Sequence, residues 1–495
     1  MKAVSPPGLM VGEAPSRTPS VGRDSSWLVG ADLTAVGLAF LGQIILARML
    51  LPEQYGWMII AIDVYASLFL IVDLGLPTLL ARDGARAPDL VPSAVNRMYR
   101  YQAAMLIPFT LLAVGLRPEA WLIPDMPLTL MLAALVTAIA HVGSYGPRSG
   151  LRVMGEARWE AITKVVERGL TVLGYAVLAF AGVTEASAYL WAFAGGAVAG
   201  WLAPYVLVHA LAPPALTSVP DWSRLGVNWR THRSLLLASL PFAVTLGVLP
   251  YVVRIEKFLV TYQGGSELAA LFHVAQLAWL AGLVVPAAIR AALLPVLGEV
   301  RGSPAAFRRA LNTSFDLCLG LLPIGLVGGY LIVALLAPIA FPTEYFDGTY
   351  GASAVEVFTI MLWGWALTLL ATPTYTAVMT SVNSWRFTGF IFTVLLFAVV
   401  IGTVCVVYLP TTPEGWLLGG AVASTASAGV LLAMSWYMSG ELPWVQTRSD
   451  EWGLAMMCTG FFIVGLATST WWWLFAAPLV AFIPSGVQAL RSTRP

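Results

Sequence analysis

Long apolar runs separated by short polar breaks make up most of the chain, and the clearest break is Pro52-Glu53-Gln54-Tyr55-Gly56. The run before it, Trp27 to Leu51, holds one acid, Asp32, and one base, Arg48; the run after it extends from Trp57 to Leu80. Each is long enough for a helix that crosses a bilayer, which needs about 20 mostly apolar residues. Proline suits a helix start and glycine a tight turn, so the break reads as a reversal at the membrane surface. The pattern returns 214 residues later: Leu259-Val260-Thr261 stands for Leu46-Ala47-Arg48, and Ser266-Glu267-Leu268-Ala269-Ala270 for the first hairpin. An apolar helix resumes after each. Identity across the echo is slight, but the hydropathy agrees.

Reading apolar runs against breaks predicts about 14 spanning helices. After the first two come residues 98–116, 127–146, 161–183 and 186–210. A polar, Trp-containing stretch, residues 211–233, then joins two halves. The second half runs through 234–253 or slightly beyond, 267–289, 315–337, 352–371, 387–408 and 416–437, followed by a closing pair at 452–468 and 471–488. The expected organisation is a disordered tail (1–26), a first lobe (27–210), the linker (211–233), a second lobe (234–438) and the closing pair (452–490). Proline recurs in these helices, at Pro108, Pro241, Pro250, Pro286 and Pro323 among others. Each removes a backbone donor, and the freed carbonyl needs a partner that lipid does not provide.

Composition fixes the class. With 58% hydrophobic and 11% charged residues over 495, no soluble domain could cover its apolar surface. The chain is an all-α, polytopic membrane protein. A net charge of +1 offers no field for nucleic acid. Cys318, Cys405 and Cys458 lie in apolar runs without pair or metal spacing. Residues 1–26 contain no apolar core of a signal peptide. If the N-terminus is cytoplasmic, 22 of the 27 Lys and Arg fall in inner segments and four in outer ones. The positive-inside rule therefore places both termini in the cytoplasm. Duplicated bundles of this kind are characteristic of secondary transporters.

Leu46-Ala47-Arg48, Leu51-Pro52-Glu53-Gln54-Tyr55-Gly56 and Asp73-Leu74-Gly75-Leu76 resemble the opening signature of a known family. It is the polysaccharide-transporter (O-antigen flippase, Wzx-like) branch of the multidrug/oligosaccharidyl-lipid/polysaccharide flippase superfamily. Ser239-Leu240-Pro241-Phe242 and Arg254-Ile255-Glu256-Lys257-Phe258-Leu259 resemble its seventh helix, with Glu256 where Asp is common. Pro342-Thr343-Glu344-Tyr345 resembles the turn before the tenth. The second hairpin departs, with Ala270-Leu271-Phe272 in place of Gly-x-Tyr. The resemblance implies two six-helix lobes in a V around a central cavity, two further C-terminal helices, and alternating access in the cytoplasmic (inner) membrane. It implies a polyprenyl-pyrophosphate oligosaccharide as substrate, carried outward by a monomer beside a polysaccharide polymerase and glycosyltransferases.

Such cargo needs cations to meet phosphate, and ionisable groups within spanning segments are the candidates. Arg254 and Lys257 share one face of the seventh helix while Glu256 points elsewhere. A phosphate contact and an interfacial cluster snorkelling to lipid head groups are equally open. Arg48 at the first hairpin is a further phosphate candidate or a plain anchor. On the fifth helix Glu160, Lys164, Glu167 and Arg168 form one stripe, either a neutralised structural ladder or a cytoplasmic gate with Lys164 and Arg168 meeting the head group. Asp32, Asp63, Asp73, Glu256, Asp316 and Glu356 are candidate gating or coupling acids, with proton or sodium as the coupling ion. For Asp73 a local cap is preferred. The four histidines show no metal spacing, so no metal or organic cofactor is expected. No P-loop appears. A cation-coupled multidrug exporter is the alternative, expecting carboxylates in its cavity; a membrane polymerase or ligase would need a longer catalytic loop than the sequence offers.

Overall fold

A computed structural model describes residues 21–213, 220–380, 384–441, 449–468 and 470, and among these no strand occurs. The first half contains α1 (Val21–Met49), α2 (Pro52–Phe69), α3 (Leu76–Asp83), α4 (Val91–Leu116), α5 (Leu128–Val153), α6 (Ala157–Phe180) and α7 (Ala186–Leu211). The second contains α8 (His232–Gly282), α9 (Val284–Glu299), α10 (Pro304–Ala340), α11 (Ala354–Met379), α12 (Ser384–Gly402), α13 (Pro413–Ser439) and α14 (Ser449–Thr468). α1 begins inside the stretch expected to be a disordered tail, so residues 21–26 are helical.

Among the described residues ten helices are long and apolar enough to cross a membrane, against the 14 expected of the whole chain. The difference has physical causes. α8 and α9 form one continuous apolar stretch by length, yet α8 reverses at Gly265, whose φ of 75° and ψ of −165° no helix contains. The side chains prove the reversal, because Lys257 meets His273 and Gln276 donates to the Val253 carbonyl, both symmetrical about position 265. α8 is thus a hairpin with a first arm before Gly265 and a second arm after it. α6 carries Glu160, Lys164, Glu167 and Arg168, too many charges to count as an apolar span. α14 is apolar enough only over Met457–Leu466, too short to count as a span, and the last expected helix, 471–488, lies outside the described residues.

The two halves pack alike. In the first, α1 packs on α6, α2 on α5 and α5 on α7. In the second, the first arm of α8 packs on α12, its second arm on α11, and α11 on α13. Corresponding helices therefore make corresponding contacts, which is the duplication foreshadowed by the echo at Glu53 and Glu267.

Three carbonyls freed by proline are captured by side chains from neighbouring helices. Pro147 frees Gly143, whose oxygen accepts from Tyr99 Oη at 2.8 Å. Pro204 frees Gly200, which accepts from Arg148 at 3.2 Å. Pro286 frees Gly282, which accepts from Trp365 Nε1 at 2.8 Å across the second bundle. Each break becomes a cross-helix tie, as a lipid environment requires.

The bundles meet along α2 and α8. Gly56 lets the two hairpins touch, since a Cβ there would sit 1.9 Å from the Ser266 carbonyl oxygen. Further along the seam Leu74 and Gly75 both adopt left-handed φ, 56° and 65°. A Cβ on Gly75 would lie 2.5 Å from Phe242 Cβ, so glycine fits both the turn and the close approach.

Candidate functional site: a charged seam and its cavity

α2 presents Asp63 toward α8 seven residues after Gly56 of the hairpin that opens it. The first arm of α8 approaches the same level from the opposite direction, bringing Arg254 and Lys257 one turn apart. Arg254 Nε lies 2.8 Å from Asp63 Oδ1, and Lys257 Nζ lies 2.5 Å from Oδ2. Arg254 also donates to Ser67 Oγ at 3.2 Å. The Lys257 side chain is 2% exposed and that of Arg254 30%. Such buried charges persist only when compensated, and here two cations from one bundle share one carboxylate from the other. The second arm adds His273, whose Nδ1 stands 3.0 Å from Lys257 Nζ. An ammonium only donates, so Nδ1 accepts and the ring is the Nε2–H tautomer. Its edge rests 5.9 Å from the ring of Tyr55, which donates to Gln43 of α1 at 2.7 Å.

Beside this cluster a cavity of about 400 Å³ opens between the bundles, lined by α1, α2, α5, α6, α7 and both arms of α8. Its polar lining includes Gln43, Asp63, His141, Tyr145, Arg168 and Arg254. Asp63 is the one carboxylate among the lining residues, and two cations already face it. Arg168 lines the opposite wall, 5.7 Å over the Phe193 ring, and forms no ion pair among the described residues. Among the lining residues the two guanidiniums of Arg168 and Arg254 thus outnumber the one carboxylate, Asp63.

The charged stripe of α6 divides by function. Glu160 is fully buried and receives Arg152, with Nε at 2.9 Å, and Lys164 at 3.5 Å. Lys164 also pairs with Asp32 of α1 at 3.1 Å. Glu167 is held by Arg148 and by His141 at 3.3 Å. Three of the four positions thus form the neutralised ladder, and Arg168 faces the cavity without an ion-pair contact among the described residues, its charge acting on the neighbouring Glu167.

These contacts give several of the expected site residues partners within the protein. Lys164 and Asp32, offered as a head-group contact and a coupling acid, neutralise each other. Arg48 is spent on helix capping: its guanidinium donates to Ala340 O at 2.7 Å and Ile339 O at 2.5 Å, tying α1 to the carboxyl end of α10. Glu356 is exposed and accepts from the Ser353 N–H at 2.8 Å, so it is half of a capping box and not an intramembrane acid. Asp73 is buried but caps nothing; Gln102 reaches its carboxylate at 3.3 Å. Glu256 does point away from Arg254 and Lys257, into the second bundle, where Ser427 Oγ donates to it at 3.1 Å. Asp316 sits half-buried on α10. The sequence reading passed over His141, His273 and Arg148. The reflection of Lys257 onto His273 about the hairpin at Gly265 is the signal that would have found the second of these.

The helical fold, with two similarly packed bundles and a cavity between them, is that of a polytopic membrane protein. Residues 21–301 match the model of the polysaccharide biosynthesis protein family, and the chain belongs to that family. Solved structures share its fold at low identity. One is an outward-facing multidrug resistance MATE family transporter of the MOP superfamily, with TM-score 0.58, 14% identity, and 84% of this chain and 96% of that one covered. Another is the lipid II flippase MurJ in an inward closed conformation, with TM-score 0.56, 11% identity, and 90% and 95% covered. A third is a MOP superfamily transporter from Pyrococcus furiosus described as having a binding pocket of reversed polarity, with TM-score 0.56, 16% identity, and 84% and 96% covered. No curated protein sequence matches the chain.

Proposed function

We propose that this protein is a flippase that carries a polyprenyl-pyrophosphate-linked oligosaccharide across the cytoplasmic membrane for surface-polysaccharide synthesis. The observation that carries the reading is Arg168, a guanidinium that makes no ion-pair contact among the described residues and faces a cavity whose one lining acid already has two cations on it. A permanently charged planar fork in such a place suits phosphate, which it meets with two parallel hydrogen bonds. The family supports the polysaccharide context. A multidrug exporter of the same fold would take cations and needs uncompensated carboxylates in its cavity, the reverse of this lining.

The charged seam supplies the gate. With both termini cytoplasmic, as the distribution of Lys and Arg favours, the α1–α2 and α8 hairpins lie at the outer face. Asp63 with Arg254 and Lys257, and Arg48 with the end of α10, then close the outer mouth. Breaking these contacts opens it, and the two bundles rock about the α2–α8 seam. The protein acts as a monomer, with a polymerase and glycosyltransferases handling the sugar on either side.

The test is Arg168→Ala in cells that depend on this chain for polymer. At wild-type membrane abundance, polymer export is expected to fall roughly 10- to 100-fold, the value of a lost charge-assisted hydrogen bond. Arg168→Lys, which retains charge but not the fork, is expected to fall between. Full export by Arg168→Ala would remove the cavity cation from the transport path.

A further inference from the structure

The Trp-containing linker is not a passive tether. It docks onto the start of α4, where Trp222 and Trp229 stack at 6.4 Å with their planes 20° apart. Arg97 of α4 lies 4.6 Å over the Trp222 ring and donates to the Trp229 carbonyl at 2.8 Å. Arg224 grips Asp89 through two bonds of 2.7 and 2.8 Å. The Trp229 indole donates to Asp83 at 3.2 Å. Between linker and helix a cavity of about 610 Å³ remains, lined by Arg97, Arg100, Tyr101, Trp222, Arg230 and His232 among others.

No carboxylate is among the lining residues. The acids nearby are committed elsewhere: Asp89 to Arg224, Asp83 to Arg82 and Trp229, and Asp221 to the N–H and hydroxyl of Ser223. Arg100 and Arg230 form no ion pair or hydrogen bond among the described residues, although the charge of Arg230 is felt by the exposed Asp221. Two guanidiniums without a hydrogen-bond partner among the described residues thus line, with a third pre-set by Trp222, one space large enough for more than a single ion. We infer that this pocket is a second site, separate from the central cavity, that binds a phosphate-bearing ligand. Guanidinium forks at several angles suit a multiply charged phosphate group. Because Arg97 and Arg100 belong to α4, Arg230 to the linker and His232 to the start of α8, an occupant bridges the first bundle to the helix that lines the seam. Occupancy therefore resists their relative motion.

The phosphate can arrive on a soluble molecule or as a lipid head group, and one experiment separates the two. Purified full-length protein is titrated calorimetrically with sodium pyrophosphate; in parallel, lipid retained after extraction from phosphatidylglycerol vesicles is read by native mass spectrometry. The variants are Arg100→Gln, Arg230→Gln and the pair together, all at exposed positions, with helix content checked by circular dichroism. Binding of pyrophosphate to wild type, weakened about tenfold by each single change and lost in the pair, supports the site with a soluble ligand. No pyrophosphate binding, but phosphatidylglycerol retention that disappears in the pair, supports it with a lipid ligand. Equal behaviour of wild type and the pair toward both probes overturns it. Neither readout involves transport, so the site and the flippase reading fail independently.

Discussion

Asp63 and Lys257 stand 2.5 Å apart across the seam between the two bundles, and Arg254 reaches the other oxygen of the same carboxylate at 2.8 Å. One acid therefore balances two cations from the opposite half of the chain. Asp63→Asn strands both cations and is expected to destabilise by about 3–5 kcal/mol, the usual cost of breaking a buried pair. Adding Lys257→Met removes the more deeply buried of the stranded charges and is expected to recover part of that loss. Thermal unfolding of the purified single and double variants measures the coupling, and strict additivity would argue against a shared lock.

The seam also depends on Gly56. A methyl group there would collide with the Ser266 carbonyl, part of a backbone that cannot rotate away. Gly56→Ala is expected to lower stability by about 1–3 kcal/mol through overpacking. Gly30→Ala is the control, since nothing lies within 4 Å of its would-be Cβ. Similar melting shifts for the two would mean that the hairpins do not touch as described.

Trp365 and Pro286 are coupled through the Gly282 carbonyl. Trp365→Phe leaves that oxygen unpaired at a cost of about 1–3 kcal/mol. Pro286→Ala returns a backbone N–H that can close the helix. In the double variant the two changes are expected to cost less than their sum, read by the same melting assay.

Glu356 offers a contrast with the intramembrane acids. Its carboxylate caps α11, so Glu356→Gln keeps the capping geometry and is expected to leave polymer export within about twofold of wild type. Ser353→Ala removes the other half of the box and is expected to cost about 1 kcal/mol of stability. A strong export defect in Glu356→Gln would restore it as a coupling acid.

Hydropathy made the architecture legible, because lipid forces every spanning segment to be apolar and helical. The echo between Glu53 and Glu267 matches the similar packing of the two halves, and Arg254 and Lys257, expected on one helical face, meet the same Asp63 carboxylate. What remained hidden was partnership. A sequence shows Arg254 and Asp63 as charges 191 residues apart, and only the packing of α2 on α8 makes them a pair. The same blindness gave Arg48, Lys164 and Arg168 equal standing, although carbonyls occupy the first, carboxylates the second, and the third faces the cavity without an ion-pair contact among the described residues. Glu356 misled because a capping acid and an intramembrane acid look alike until the helix start is fixed.

The most direct test of the central claim uses a strain lacking this chain, complemented with wild type or empty vector. Surface polymer and the leaflet distribution of lipid-linked oligosaccharide are quantified together. The account expects polymer to vanish without the chain while precursor accumulates facing the cytoplasm, and both to recover with wild type. Undiminished polymer, with precursor distributed as in wild type, would contradict it.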